Sequence, residues 1–253
     1  MKPHKKRKQY SGWLPSWDHV NGYDTIVRHG NLFGSLSPVW YRVRAGGELE
    51  ERKPFGFEEM IKLLEQNEVR LIPSVSMTDH ELFTAIVQNP TNLNRHVDSI
   101  YNTVLENDYH GISLDYESTK LSDKEKYFEF LEKLSQKLHS SDKKLAVTVL
   151  PKWGEDIEYT HLPQTRQVQD WSQIALYADE IRIMVYDYTL PLVANPGPIA
   201  PLDWTRQIMD YAKTQADADK FVLGIQFYAR EYWVAVPDRQ KDLGFDDPRL
   251  EFK

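Results

Sequence analysis

The segment His110-Gly111-Ile112-Ser113-Leu114-Asp115-Tyr116-Glu117 alternates polar and apolar side chains from Ile112 onward. In an extended strand, residues two apart lie on one face, roughly 6–7 Å apart along the chain, so Ser113, Asp115 and Glu117 project together. Ile112, Leu114 and Tyr116 take the other face. Crowded carboxylates raise one another's proton affinity, and one of a pair then stays protonated near neutral pH. A protonated carboxyl of that kind is what general-acid cleavage of a glycosidic bond requires. A bare Asp-x-Glu pattern also occurs at solvated strand ends, so the elements around it must decide between the two readings.

Those elements read as repeated βα units, because short β-branched or aromatic runs alternate with longer amphipathic segments. Seven strands are predicted, at Gln9–Trp17, Leu32–Val43, Val69–Val75, Gly111–Tyr116, Leu145–Leu150, Glu180–Tyr186 and Phe221–Phe227. Helices are predicted at Phe57–Gln66, Asn92–Asn107, Asp123–Ser140, Trp171–Ala178 and Leu202–Ala212, with apolar spacing such as Tyr127, Leu131, Leu134 and Leu138. Ser122 or Asp123 is a candidate cap for the third of these.

The 253 residues approach the length of about 250 usual for a (β/α)8 barrel. The predicted fold class is therefore α/β, a (β/α)8 TIM barrel that lacks its eighth βα unit or carries it truncated, because Val234–Lys253 is polar and shows no further strand and helix. Residues 1–8, with the run Lys5-Lys6-Arg7-Lys8, are expected to form a basic disordered tail, and residues 9–253 a single catalytic barrel domain. The proline-rich stretch from Pro191 to Pro201 reads as a long βα loop, the kind of segment that builds a barrel's active site.

Composition narrows the function classes. A formal net charge of −7 argues against nucleic acid as a partner, since such binding draws on Lys and Arg contacts with phosphate. No apolar run approaches the roughly 20 residues of a membrane span, and no apolar stretch follows the basic run to make a signal peptide. Compartment stays open: extracellular or cell envelope is favoured if an export signal has been omitted, cytoplasm if the chain is complete. Cysteine is absent, so disulfides and thiolate metal sites are excluded, and His4, His110 and His161 lack metal-ligand spacing. Neither a metal nor another cofactor is expected. The 7 tryptophans and 14 tyrosines supply flat faces that stack on sugars or fill a core.

The carboxylate strand resembles the strand-four signature of glycoside hydrolase family 18, D-G-x-D-x-D-x-E, at Gly111, Asp115 and Glu117. His110 and Ser113 depart from it, each standing where that pattern has an Asp. Ile183-Met184-Val185-Tyr186-Asp187-Tyr188 is similar to the family's strand-six M-x-Y-D element. The segments Gly197–Trp204 and Val222–Tyr228 are similar to bacterial spore-germination and cell-wall members. The family's S-x-G-G element is replaced by Ser74-Val75-Ser76-Met77.

The resemblance implies a chitinase-like or N-acetylglucosaminidase-like enzyme acting on an N-acetylhexosamine-containing polysaccharide, peptidoglycan or chitin-like, and working as a monomer. By it, Glu117 is the general acid and Asp115 orients the substrate's 2-acetamido group, which itself attacks the anomeric carbon. Tyr186 and Asp187 would contact the same group, although a core tyrosine with a satisfied hydroxyl is an equal reading of Tyr186 alone. Ser113 would contribute a hydrogen bond but no charge. Trp17 and Trp40, with Trp153 and Trp233, lie near predicted carboxyl ends of strands, where sugar stacking is open to them. Two other readings stand beside the enzyme: a non-catalytic glycan-binding barrel of the same family, and a fragment that needs a missing portion to fold.

Overall fold

The computed structural model describes residues 10–155, 157–159, 161–190 and 196–230. The expected basic tail, Trp233, residues 191–195 of the proline-rich loop and the segment Val234–Lys253 lie outside the described residues. In chain order the elements are β1 (Tyr10–Leu14), α1 (His19–His29), β2 (Phe33–Val43), β3 (Leu49–Glu51), α2 (Phe57–Gln66), β4 (Arg70–Leu71) and β5 (Ser74–Met77). They continue with α3 (His80–Val87), α4 (Pro90–Glu106), β6 (Gly111–Tyr116), α5 (Lys124–Ser140), β7 (Lys144–Val149), α6 (Pro163–Val168), α7 (Trp171–Tyr177), β8 (Glu180–Met184), α8 (Leu202–Gln215) and β9 (Phe221–Gly224).

Strands β1, β2, β5, β6, β7, β8 and β9 follow one another across the sheet, each parallel to the next. Strand β4 pairs with β2 below β5, so these two short strands make one stave of seven. The predicted strand Val69–Val75 is thus broken at Ile72-Pro73, where proline has no N–H to donate to a ladder. The chain stays in place there because Ile72 donates to the Leu36 carbonyl and Ser113 donates to that of Pro73. Among the described residues β1 and β9 do not pair, so the sheet curls into an incomplete barrel, as the sequence pattern implied.

The outward faces of the staves carry the apolar core. Ile112, Leu114 and Tyr116 of β6, Leu145, Val147 and Val149 of β7, and Ile181 and Ile183 of β8 are buried together with Phe130, Leu131, Leu134 and Leu138 of α5. Each such side chain contributes about 1.5–3 kcal/mol by leaving water. The inner face is polar: Ser35, Ser37, Ser74, Ser113, Thr148 and Arg182 are all buried. Arg182 donates to Glu180 on its own strand at 2.8 Å and reaches across to Ser37 Oγ at 2.5 Å, bracing β8 against β2 through the interior.

Three helices lie outside the predicted set: α1, α3 and α6. Helix α3 is set by its cap, Asp79, whose carboxylate accepts from the N–H groups of Glu81 and Leu82. Helix α6 opens on Pro163 at its first turn, a position that proline suits. The hairpin arm of β3 against β2 is also a structural addition to the predicted pattern.

Gly111 opens β6 where β7 passes closest: a Cβ there would meet the Lys144 carbonyl oxygen at 2.1 Å. Lys144 N–H is bonded to the His110 carbonyl, so its backbone cannot withdraw without breaking the ladder. Gly111→Ala is expected to lower unfolding stability by roughly 1–3 kcal/mol. Urea titration checks this, and an unchanged midpoint would mean that the β6–β7 approach is looser than described.

Candidate active site

Register decides which side chains meet at the mouth. Ser74 pairs with Ser113 and Ser76 with Asp115 across β5 and β6, while Ser113 pairs with Ala146 of β7. Partners in a parallel ladder share a face, so Ser113 and Asp115 point into the barrel and Glu117 follows them at the carboxyl end of β6. The backbone there is fixed from both sides. Glu117 N–H donates to the Met77 carbonyl at 3.0 Å. The buried Gln169 amide donates to the Tyr116 carbonyl at 3.2 Å and accepts from Leu150 N–H at 2.8 Å, tying together the ends of β6 and β7.

The electrostatics follow from confinement. Among the described residues no cation lies within ion-pair distance of Asp115 or Glu117, and Asp115 Oδ1 is buried without a hydrogen-bond partner. Burial, and next the Glu117 charge, raises the proton affinity of Asp115; burial, and next the Asp187 charge, raises that of Glu117. The two carboxyls therefore hold a proton between them to higher pH than ordinary carboxylates. Tyr186 is pushed up by burial first and then by the Asp115 and Glu117 charges. Beneath lie the hydroxyls of Ser74, Ser113 and Thr148, all buried and without a partner among the described residues.

Asp187 follows β8 with a φ of 58°, a left-handed conformation that Asp tolerates better than most residues and that breaks the strand's alternation. Its carboxylate accepts from Tyr228 at 2.5 Å and pairs with Arg230 at 2.6 Å, so this third acid is neutralised where the other two are not. Tyr228 and Arg230 follow β9, and Arg230 also donates to the Thr189 carbonyl. Sequence reasoning did not select either; a basic residue six positions from a strand end carries no local signal.

The tryptophans sort differently from expectation. Trp40 does not join the site: it is 2% exposed and packs on Phe57 and Tyr109 outside the barrel. Val39 continues the inner row of Ser35 and Ser37, so Trp40, one residue on, faces outward although it lies near the strand end. Trp17 is 84% exposed in the loop leaving β1, on the rim that also bears Glu117, and Trp153 packs edge-on against Tyr159 and Trp204. The indole that does enter the interior is Trp13 of β1. It meets Tyr186 edge-on at 6.5 Å and lies so close over Gly224 that a Cβ there would come within 2.4 Å of it. His110 sits at the opposite end, where its Nδ1 accepts from Leu71 N–H.

The family model for Glycosyl hydrolases family 18 matches residues 33–248, most of the chain. The uncharacterised glycosylase YvbX of Bacillus subtilis (strain 168) is 25% identical over 154 residues, 61% of this chain and 43% of the relative. The chain thus spans less than half the length of that relative. The spore cortex-lytic enzyme SleL of Bacillus megaterium QM B1551 has the same fold with a TM-score of 0.80 at 19% identity, over 98% of this chain and 56% of the other. A chitinase from Chromobacterium violaceum ATCC 12472 superposes with a TM-score of 0.76 at 22% identity, over 88% and 69%.

The raised carboxyls make stability depend on pH. Protonated, they favour the folded state, and that contribution is lost as pH climbs from the unfolded-state range near about 4 through the raised folded-state values. Glu117→Gln and Asp115→Asn, each removing one charge, are expected to raise the melting temperature more at about pH 8 than at about pH 4. Equal shifts at both pH values would show that neither carboxyl has the raised affinity.

Proposed function

This chain belongs to glycosyl hydrolase family 18, and from that premise we propose that it hydrolyses β-1,4 linkages of N-acetylglucosamine-containing glycans, peptidoglycan or chitin-like, with retention of configuration. The observation that carries the reading is the pair Asp115 and Glu117, on one inner face at the barrel mouth, without a neutralising cation among the described residues.

Glu117, at the outer position, protonates the glycosidic oxygen as the bond to the anomeric carbon breaks. The acetamido carbonyl of the same sugar attacks that carbon and gives an oxazolinium ion, so the enzyme needs no second carboxylate nucleophile. Asp115 accepts from the acetamido N–H and opposes the positive charge that develops on the ring. Tyr186 and Asp187 hold the acetamido group from the β8 side, with Tyr228 and Arg230 fixing the Asp187 carboxylate. Water then opens the oxazolinium ion, with Glu117 as the base.

One residue favours a second reading, a glycan-binding barrel with little turnover. Ser113 stands where the family pattern has an Asp, and a hydroxyl cannot share a proton with Asp115 as a carboxylate does. Reducing ends released from N-acetylglucosamine oligomers or muropeptides distinguish the two, since a binder retains the chains intact.

Glu117→Gln is expected to lower kcat by a factor of about 10²–10⁴ while leaving glycan affinity close to the parent value. Turnover measured by reducing-end release, with affinity by calorimetry, tests it. Undiminished hydrolysis by this variant would remove Glu117 from the role of acid.

A further inference from the structure

The β2–β3 hairpin carries a face that the proposed chemistry does not use. Strand β2 bears one extra residue at Trp40, and the shift restores Arg42 to the row Arg42, Ser76, Asp115 across β2, β5 and β6. A bulge re-aims the side chains beyond it, and here it turns Arg42 to the face that holds Asp115. Two strand spacings separate them, roughly 10 Å, which is about the span of two pyranose rings.

Beyond Arg42 the same face continues up the hairpin. Arg42 stands opposite Glu50, and Arg44 and Arg52 lie two residues from each along their strands. The other face, with Tyr41, Val43 and Leu49, packs inward, and the tip is pinned on α4, where His96 bonds the Gly47 carbonyl and Ser99 accepts from Leu49 N–H. The arm is therefore held by its apolar face and presents its charged face to solvent beside the mouth. Glu50 accepts from Arg52 at 2.8 Å and lies 3.5 Å from Arg44, and Arg42 has no carboxylate in ion-pair range among the described residues. Glu48 shares this face at the hairpin tip and is paired with Arg95 of α4 at 3.5 Å, so Arg42, Arg44 and Arg52 against Glu50 leave the face two charges positive on a chain whose formal net charge is −7.

Resting on the glycosidase reading above, we infer that this face binds carboxylates of the substrate, so that the preferred glycan is an acidic N-acetylhexosamine polymer and not a neutral one. Guanidinium groups match carboxylates through paired N–H donors, and an exposed, anchored strand pair presents them without rearrangement. Two carboxylate sources fit, the lactyl ether of a muramic acid residue and the peptide stem attached to it.

The test is calorimetry with Glu117→Gln protein, which holds the chain without cutting it, and the same protein carrying R42Q and R44Q. The ligands are a muropeptide chain, that chain stripped of peptide, and that chain with its carboxyls converted to amides. The arginine-bearing protein is expected to bind the acidic chain about tenfold more tightly than the amidated one, a preference lost in the R42Q/R44Q protein and in high salt. Retention of the preference on the stripped chain assigns the lactyl carboxylate, and its loss assigns the stem. Equal affinities for acidic and amidated chains in the arginine-bearing protein, no binding of either, or a preference untouched by the two substitutions would each overturn the inference. Reducing-end release by the parent enzyme is scored separately, so a protein that selects acidic chains but cleaves none would sink the hydrolase reading alone.

Discussion

Two carboxylates held on one inner face, with no cation in ion-pair range among the described residues, are the constraint around which this structure is organised. Water would relieve their repulsion, but the curled sheet excludes much of it, and a neighbouring cation would relieve it at the cost of the proton that makes the site useful. The fold spends its nearby cations elsewhere. Arg230 goes to Asp187, and Arg182 lies deeper, on Glu180 and Ser37. Three acids share a mouth, and among the described residues only Asp187 is paired with a cation.

The layer beneath the pair is equally particular. A barrel interior is ordinarily filled by branched apolar side chains. Here Ser35, Ser37, Ser74, Ser113, Thr148 and Arg182 line it, and the hydroxyls of Ser74, Ser113 and Thr148 find no partner among the described residues. Small hydroxylic residues leave room under Asp115 and offer dipoles where the family pattern offers a second acid. Ser113 is thus one member of a polar floor shared by three strands.

How much of this the sequence discloses depends on whether a feature is local. The β6 carboxylates are legible because a two-residue period is a property of six consecutive residues, and the outward Ile112, Leu114 and Tyr116 confirm its phase in the core. Helix α5 is legible for the same reason. Trp40 misleads because nearness to a strand end says nothing of its face, and it stands one residue past Val39, which continues the inner row of Ser35 and Ser37. Trp13, Gln169 and Arg230 escape because each matters through a partner far along the chain: Gly224, Tyr116 and Asp187 in turn. The break at Ile72-Pro73 was written in the proline, and a continuous apolar run hid it.

The brace between Arg182 and Ser37 joins residues 145 positions apart. On a growing chain, the second stave is made long before the guanidinium that will secure it, so the interior hydroxyls wait in a sheet that has edges and no lining. Contacts of that separation are slow to form, and they delay the moment at which a nascent sheet stops being an invitation to its neighbours. The site's architecture therefore sets a schedule: the mouth takes shape only when the sixth stave has left the ribosome.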